Sequence, residues 1–369
     1  MKIATVLLLS LTFIIHSSLQ AQQKQTTANR QADAFIVEKM KSLKIPGLAF
    51  AVIKDGKQAY SATYGMGNLE WQTKVTPQTN FQIASCTKLL TSTLVLKTIY
   101  NGKLNLEDPV SKYVDSIPFY WKELKIKHLL SHSSGIRNFD GDTYASETTV
   151  LKAIKEAAPE YAPGTDQHYA QFDFMLMGYI LEKIYHKPFV QILKDEVTTP
   201  LGMKNSGYDM ELKVGTFMRT DLIPQKVTTY YDLEGKTQAY KFLYPQFTYT
   251  AGGYFASLDN MAQWAIGLDQ GTLFPKDFGN QYIYERDSIG NRISEFSKVG
   301  WALENENGIL YGGHSGGPGL GDILRFPEEG YTFIVLSNDG ELLPDFARAI
   351  APLYIKALSP KTEIRKFER

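Results

Sequence analysis

A serine followed three residues later by a lysine, in Ser85-Cys86-Thr87-Lys88, is the sharpest chemical pattern in the chain. Ser85 stands where an extended segment, Phe81 to Ala84, gives way to a helix-patterned run. A hydroxyl held there meets free backbone N–H groups and the positive end of the helix dipole, which favour developing negative charge. Lys88 falls on the same helical face and can approach the Ser85 Oγ. A lysine amine taken out of water gives up its proton more readily and can activate a serine. The plainer role for this tetrapeptide is a helix cap followed by a solvated lysine. Two features favour chemistry: Ser85 is the only serine with a lysine three residues on, and the neighbours on both sides are apolar.

Two further clusters hold groups that suit a serine mechanism. Tyr169-Ala170-Gln171 precedes the strongest helical stripe, and a tyrosine in that loop can relay a proton to a leaving group. An amide two residues on points the same way along an extended segment, which makes Gln171 a substrate-binding candidate. Gly313-His314-Ser315-Gly316-Gly317 matches Gly-x-Ser-x-Gly, so Ser315 is a rival nucleophile. That motif needs a helix after the serine and a histidine further downstream. Here Pro318-Gly319-Leu320-Gly321 and a strand pattern follow, and no histidine lies beyond His314. The cluster reads better as a strand whose small residues let a substrate backbone lie alongside, with the Gly317 N–H joining the Ser85 N–H in an oxyanion hole. His128 and His132 share a helical face, but no glutamate lies between them and no cysteine or carboxylate cluster is near, so both read as structural. Neither a metal nor a cofactor is called for. Cys86, the single cysteine, reads as a small packed residue, and no intrachain disulfide is possible.

These groups lie far apart in sequence, so strands and helices must bring them together. Leu48 to Ile53, the Asp55-Gly56 turn and Gln58 to Tyr64 predict a hairpin. Strand patterns return at Trp301 to Leu303, Ile309 to Tyr311, Asp322 to Phe326 and Thr332 to Ser337. Between them the spacing is mostly helical, clearest over Phe172 to Ile184, and a last helix spans Leu343 to Leu358 with a break at Pro352. The fold class is therefore α+β: one antiparallel sheet built from N- and C-terminal segments, flanked by helices, with a mostly helical subdomain inserted at roughly 104–245. The chain divides into a leader (1–21), a polar linker (22–34), the main domain (35–360) and a C-terminal tail (361–369). The leader has a basic start, a short apolar stretch and small residues before Ala21, which predicts a cleaved signal peptide and a periplasmic or secreted protein without a membrane anchor. With 39 basic and 39 acidic residues the chain has no electrostatic footprint for nucleic acid or anionic lipid.

In order and spacing these clusters resemble the serine β-lactamase and penicillin-binding protein superfamily, most of all the branch holding class C β-lactamases, DD-peptidases and related esterases. Leu129-Leu130-Ser131-His132-Ser133-Ser134-Gly135, Pro163-Gly164-Thr165, Pro200-Leu201-Gly202-Met203, Ala251-Gly252-Gly253 and Gly300-Trp301 look like landmarks of the same family, and the resemblance runs from about Phe35 to Leu358. It implies a β-lactamase/transpeptidase-like fold, with Ser85 as nucleophile, Lys88 as its base partner and Tyr169 as proton shuttle. Gln171 occupies the place of an asparagine that binds the acyl amide. His314 stands where the third motif has lysine or histidine, and Ser315 and Gly316 complete that motif. A histidine there is largely neutral at pH 7, unlike the lysine of true β-lactamases. The expected activity is an acyl-enzyme hydrolase of small amides or esters, such as D-amino-acid peptides, peptidoglycan-derived peptides or carboxylic esters. The alternatives are a class C-like β-lactamase and a non-catalytic penicillin-sensing module.

Overall fold

A computed structural model describes residues 26–142, 144–317 and 321–367. The leader expected at 1–21 lies outside the described residues. Helix α1 spans Thr27–Ser42, with Thr26 as its cap: the Thr26 hydroxyl accepts from the Asn29 N–H. The helix therefore begins inside the stretch expected to be a linker, and Asn29 and Ala32 are already buried. Strands β1 (Gly47–Lys54) and β2 (Lys57–Asn68) follow. Their two-residue turn, Asp55-Gly56, has positive φ at both positions (49° and 70°), as a type I′ hairpin requires.

The sheet is completed by β3 (Thr73–Lys74) and by four C-terminal strands, β4 (Ala302–Glu306), β5 (Ile309–Gly316), β6 (Gly321–Phe326) and β7 (Tyr331–Ser337). The order across it is β4-β5-β6-β7-β1-β2-β3, and every neighbouring pair is antiparallel. β1 joins the two ends of the chain, with Leu48 opposite Ser337 and Ile53 opposite Thr332. Alternation sends Leu48, Phe50 and Val52 into one apolar core and Ala49, Ala51 and Ile53 into the other. The first core is closed by α1 and the C-terminal helix α5 (Phe346–Tyr354). The second is built around α2 (Thr87–Tyr100), α3 (Gln171–Tyr185) and α4 (Leu258–Gln270).

Two expectations change here. Short helices fill the insert as far as Thr198, but its second half is β-hairpins, Leu212–Val214 with Phe217–Arg219 and Thr229–Leu233 with Lys236–Tyr240. Glu234 and Gly235 take positive φ and turn the second hairpin just as Asp55-Gly56 turns the first. Nor does Pro352 interrupt the last helix: it lies inside α5, which ends two residues later at Tyr354. The tail is docked. Ile364 is buried, and the Phe367 N–H donates to the Glu341 carbonyl at 2.7 Å. No helix among the described residues is long and apolar enough to cross a membrane.

Candidate active site

Ser85 sits in a single 3-10 turn, Ala84–Cys86, that runs directly into α2. The turn starts from a sparsely populated backbone state, since Ala84 has φ +46°. It is held from three sides. The Thr87 hydroxyl donates to the Ala84 carbonyl at 2.7 Å, the Cys86 N–H to the Ile83 carbonyl at 3.0 Å, and the Cys86 thiol to the His314 carbonyl at 3.0 Å. This last bond ties the serine to β5, and glycine makes the approach possible. A Cβ on Gly316 would lie 2.1 Å from the Ile83 carbonyl oxygen, and one on Gly321 would lie 2.9 Å from the Cys86 Sγ.

Tyr169 and Lys88 meet at this serine from separate elements. The Tyr169 hydroxyl donates to the Ser85 Oγ at 3.1 Å. Lys88 is fully buried, donates to the Ala251 carbonyl at 2.9 Å and lies 4.9 Å from the centre of the Tyr169 ring. One buried ammonium therefore underlies the phenol and faces a carbonyl rather than a carboxylate. The other hydroxyls of α2 are also answered within the core; Thr91 donates to the Thr250 carbonyl at 2.7 Å.

His314 is buried at the end of β5, its ring centre 6.1 Å from that of Tyr169. Its Nδ1 lies 2.6 Å from the Ser315 carbonyl, which can only accept, so Nδ1 carries the hydrogen and Nε2 presents a lone pair. No partner meets that Nε2 among the described residues. Burial, reinforced by the Lys88 charge, pushes the imidazole down to about 3. His314 is thus a neutral acceptor. β4 pairs with β5 only as far as Gly313, while β6 covers the other edge to Gly316. From His314 to Gly316 the β4 side of β5 is left unpaired by β4. Gly317 follows, exposed and with open space around it.

Ser315 lies within a strand and is succeeded by β6, so the strand-turn-helix setting of a nucleophile elbow is missing. Gln171 begins α3 and lines a cavity of about 250 Å³ with Asn138, Phe139, Phe242, Tyr244 and Phe247. His128 accepts from the Lys125 N–H at 3.2 Å and closes a helix start. The sequence assigned no site role to the groups under and behind Tyr169, His132 reading as structural. His132 packs against its ring, Asp173 and Ser134 back His132, and the Ala251 carbonyl receives Lys88. Their residue types are ordinary; only the pairing of His132 with a loop tens of residues away makes them notable. No group of three metal-ligating side chains occurs among the described residues.

Known proteins share this chain's sequence pattern and fold. A family model described as Beta-lactamase matches residues 32–353. Protein flp of Staphylococcus aureus (strain MW2) is 26% identical over 338 residues, covering 86% of this chain and 64% of that protein. The chain therefore spans just under two thirds of the length of that relative. PbpX of Bacillus subtilis (strain 168), named as a penicillin-binding protein, is 23% identical over 303 residues, 81% of this chain and 72% of that one. Among solved structures, the octameric penicillin-binding protein homologue from Pyrococcus abyssi superposes with a TM-score of 0.74 at 26% identity, covering 89% of this chain and 77% of that one. The D-amino acid amidase from Ochrobactrum anthropi SV3 shares the fold, with a TM-score of 0.74 at 17% identity over 90% of this chain and 99% of that one.

Proposed function

The chain belongs to the β-lactamase family of serine hydrolases, and from that premise we propose that it cleaves small amides or esters through an acyl-enzyme on Ser85. The observation that carries this reading is the 3.1 Å contact between the Tyr169 hydroxyl and the Ser85 Oγ, above the buried Lys88. In the first half-reaction Tyr169, acting as its phenolate over the Lys88 ammonium, takes the Ser85 hydroxyl proton along the Oγ–Oη contact as the Oγ attacks the carbonyl carbon. The oxyanion is received by the N–H groups of Ser85 and Gly317. Tyr169, with the Lys88 ammonium beneath its ring, returns that proton to the departing amine or alkoxide. Water then follows the same route in reverse: its proton passes to the Tyr169 phenolate and its oxygen to the acyl carbon, and the phenol hands that proton to the Ser85 Oγ as the acyl bond breaks.

Two features bear on the substrate. His314 offers a lone pair rather than a positive charge, which favours a neutral hydrogen-bond donor over a carboxylate at that point. The aromatic cavity beside Gln171 suits an apolar or aromatic acyl group. Both favour an amidase-, D-amino-acid peptidase- or esterase-like activity. Ser315 and Gly316 would line the bound substrate along the open edge of β5. Intact-mass spectrometry after exposure to a penicillin, a D-Ala-D-Ala peptide and a p-nitrophenyl ester tests the reading. The expected result is an adduct on Ser85 with the ester that decays with turnover, and slower acylation by the two carboxylate-bearing compounds. Fast penicillin turnover would make the chain a β-lactamase instead. A penicillin adduct that persists without turnover of any substrate would make it a binding module. Export to a periplasm or the medium belongs to the same proposal, and a mature N-terminus following Ala21 is its test.

A further inference from the structure

Tyr169 is 43% exposed, and the covered side of its ring is met by Lys88, His132, Phe296 and His314. The residue that contacts it and both its chain neighbours is His132. The His132 carbonyl accepts from the His168 N–H at 3.1 Å, and the His132 Nδ1 accepts from the Ala170 N–H at 3.3 Å. Between those two bonds the imidazole lies against the Tyr169 ring, with centres 4.6 Å apart. The backbone of His132 is left-handed (φ +55°), and its carbonyl and its ring both serve the Tyr169 segment.

We propose that His132 is the positioning residue for Tyr169, a clamp that brackets the tyrosine by one backbone and one side-chain hydrogen bond and fixes its hydroxyl on Ser85. The inference rests on the reading of Tyr169 as the proton carrier. An N–H can only donate, so the bond from Ala170 leaves Nδ1 bare and puts the ring hydrogen on Nε2. Asp173 fits this arrangement with its carboxyl protonated, the Oδ2 hydroxyl sharing the Nδ1 lone pair with the Ala170 N–H, and the Nε2 hydrogen then meets no partner among the described residues. Its Oδ2 lies 3.3 Å from Nδ1, and its other oxygen accepts from the Ser134 hydroxyl. This contact has the distance of an ion pair but joins neutral groups. Burial pushes the His132 imidazole well below its ordinary range, helped by the Lys88 charge, and pushes the Asp173 carboxyl well above its own. A neutral imidazole is what the clamp requires, because a protonated Nδ1 would turn its hydrogen towards the Ala170 N–H.

The test compares a p-nitroanilide, whose amine must be protonated to leave, with the p-nitrophenyl ester of the same acid, whose phenolate leaves without a proton. His132→Phe keeps a ring against Tyr169 and removes the acceptor. It should lower kcat/KM for the anilide on the order of 100-fold and for the ester by a clearly smaller factor, since the ester needs Tyr169 to take the Ser85 proton but not to protonate its leaving group. His132→Asn places an amide oxygen where Nδ1 was and tolerates the left-handed backbone, so it should restore the anilide rate to within about 10-fold of the parent. Should His132→Phe fail to fold, His132→Gly serves in its place: it accepts the backbone, offers no acceptor and should show the same split. Equal losses on both substrates would overturn the inference, as would an Asn variant that melts normally yet is no better than Phe or Gly. A parent protein that never acylates at Ser85 removes the proposed function itself and this inference with it. Normal acylation with no split removes only the role of His132.

Discussion

On one face of the sheet, α1 and α5 lay Ile36, Phe346, Ala347 and Ile350 against Phe50, Val52, Phe326 and Phe333. On the other, α2 carries Thr87, Lys88, Thr91, Ser92 and Thr93 into the core shared by Ala49, Ala51 and Ile53, all of them buried. The first layer is held by apolar area, at roughly 25 cal/mol per Å² removed from water. The second buries polar groups, which costs free energy unless each finds a partner. Partners are supplied chiefly by carbonyls of the loops at Thr250-Ala251 and Val299. The difference separates stability from chemistry: one side of the sheet secures the fold, and the other accepts a less favourable interior to hold a lysine beneath a serine.

Substitutions should divide along the same line. Ser85→Ala should lower turnover by a factor on the order of 10⁴ or more and abolish labelling by a fluorophosphonate, with an unchanged melting temperature. Persisting label would move the nucleophile to Ser315. Lys88→Ala should raise the acylation barrier by about 3–5 kcal/mol, read as a slower burst phase; a parental burst rate would take lysine out of the mechanism. Phe333→Ala, on the apolar side, should cost about 3 kcal/mol of stability by denaturant titration while leaving kcat/KM unchanged below the transition. A catalytic defect in the folded variant would blur the division between the two faces.

The smallest effect concerns pH. The folded His314 titrates at about 3, below the usual histidine value near 6.5. Between those values the unfolded chain takes up a proton that the folded chain refuses. Its contribution is therefore complete above about pH 6.5 and is lost as pH falls towards 3. In His314→Gln the drop in denaturation midpoint from pH 7 to pH 4.5 should shrink. An unchanged drop would mean that the imidazole is not held neutral.

Much of this was legible in the residues. Ser85, Lys88 and Tyr169 converge as their order and types imply, and Asp55-Gly56 turns the hairpin that a flexible dipeptide predicts. Glu234-Gly235 makes the same turn, but glutamate is a weaker signal than aspartate, so that hairpin was read as part of a helical insert. The first eight residues of α1 are mostly polar and masked the start of the helix, whose later turns show helical spacing in Phe35, Ile36, Lys39 and Met40. The clamp by His132 was invisible for another reason. Bonds to His168 and Ala170 join residues more than thirty positions apart, and no local pattern specifies them.

The pairing of β1 with β7 has a consequence for synthesis. Leu48 cannot find Ser337 until β7 has been made, and the Cys86 thiol meets the His314 carbonyl across a similar gap. Contacts so distant in sequence form late and slowly. A growing chain therefore cannot assemble the surroundings of Ser85 until the last strand has closed the sheet.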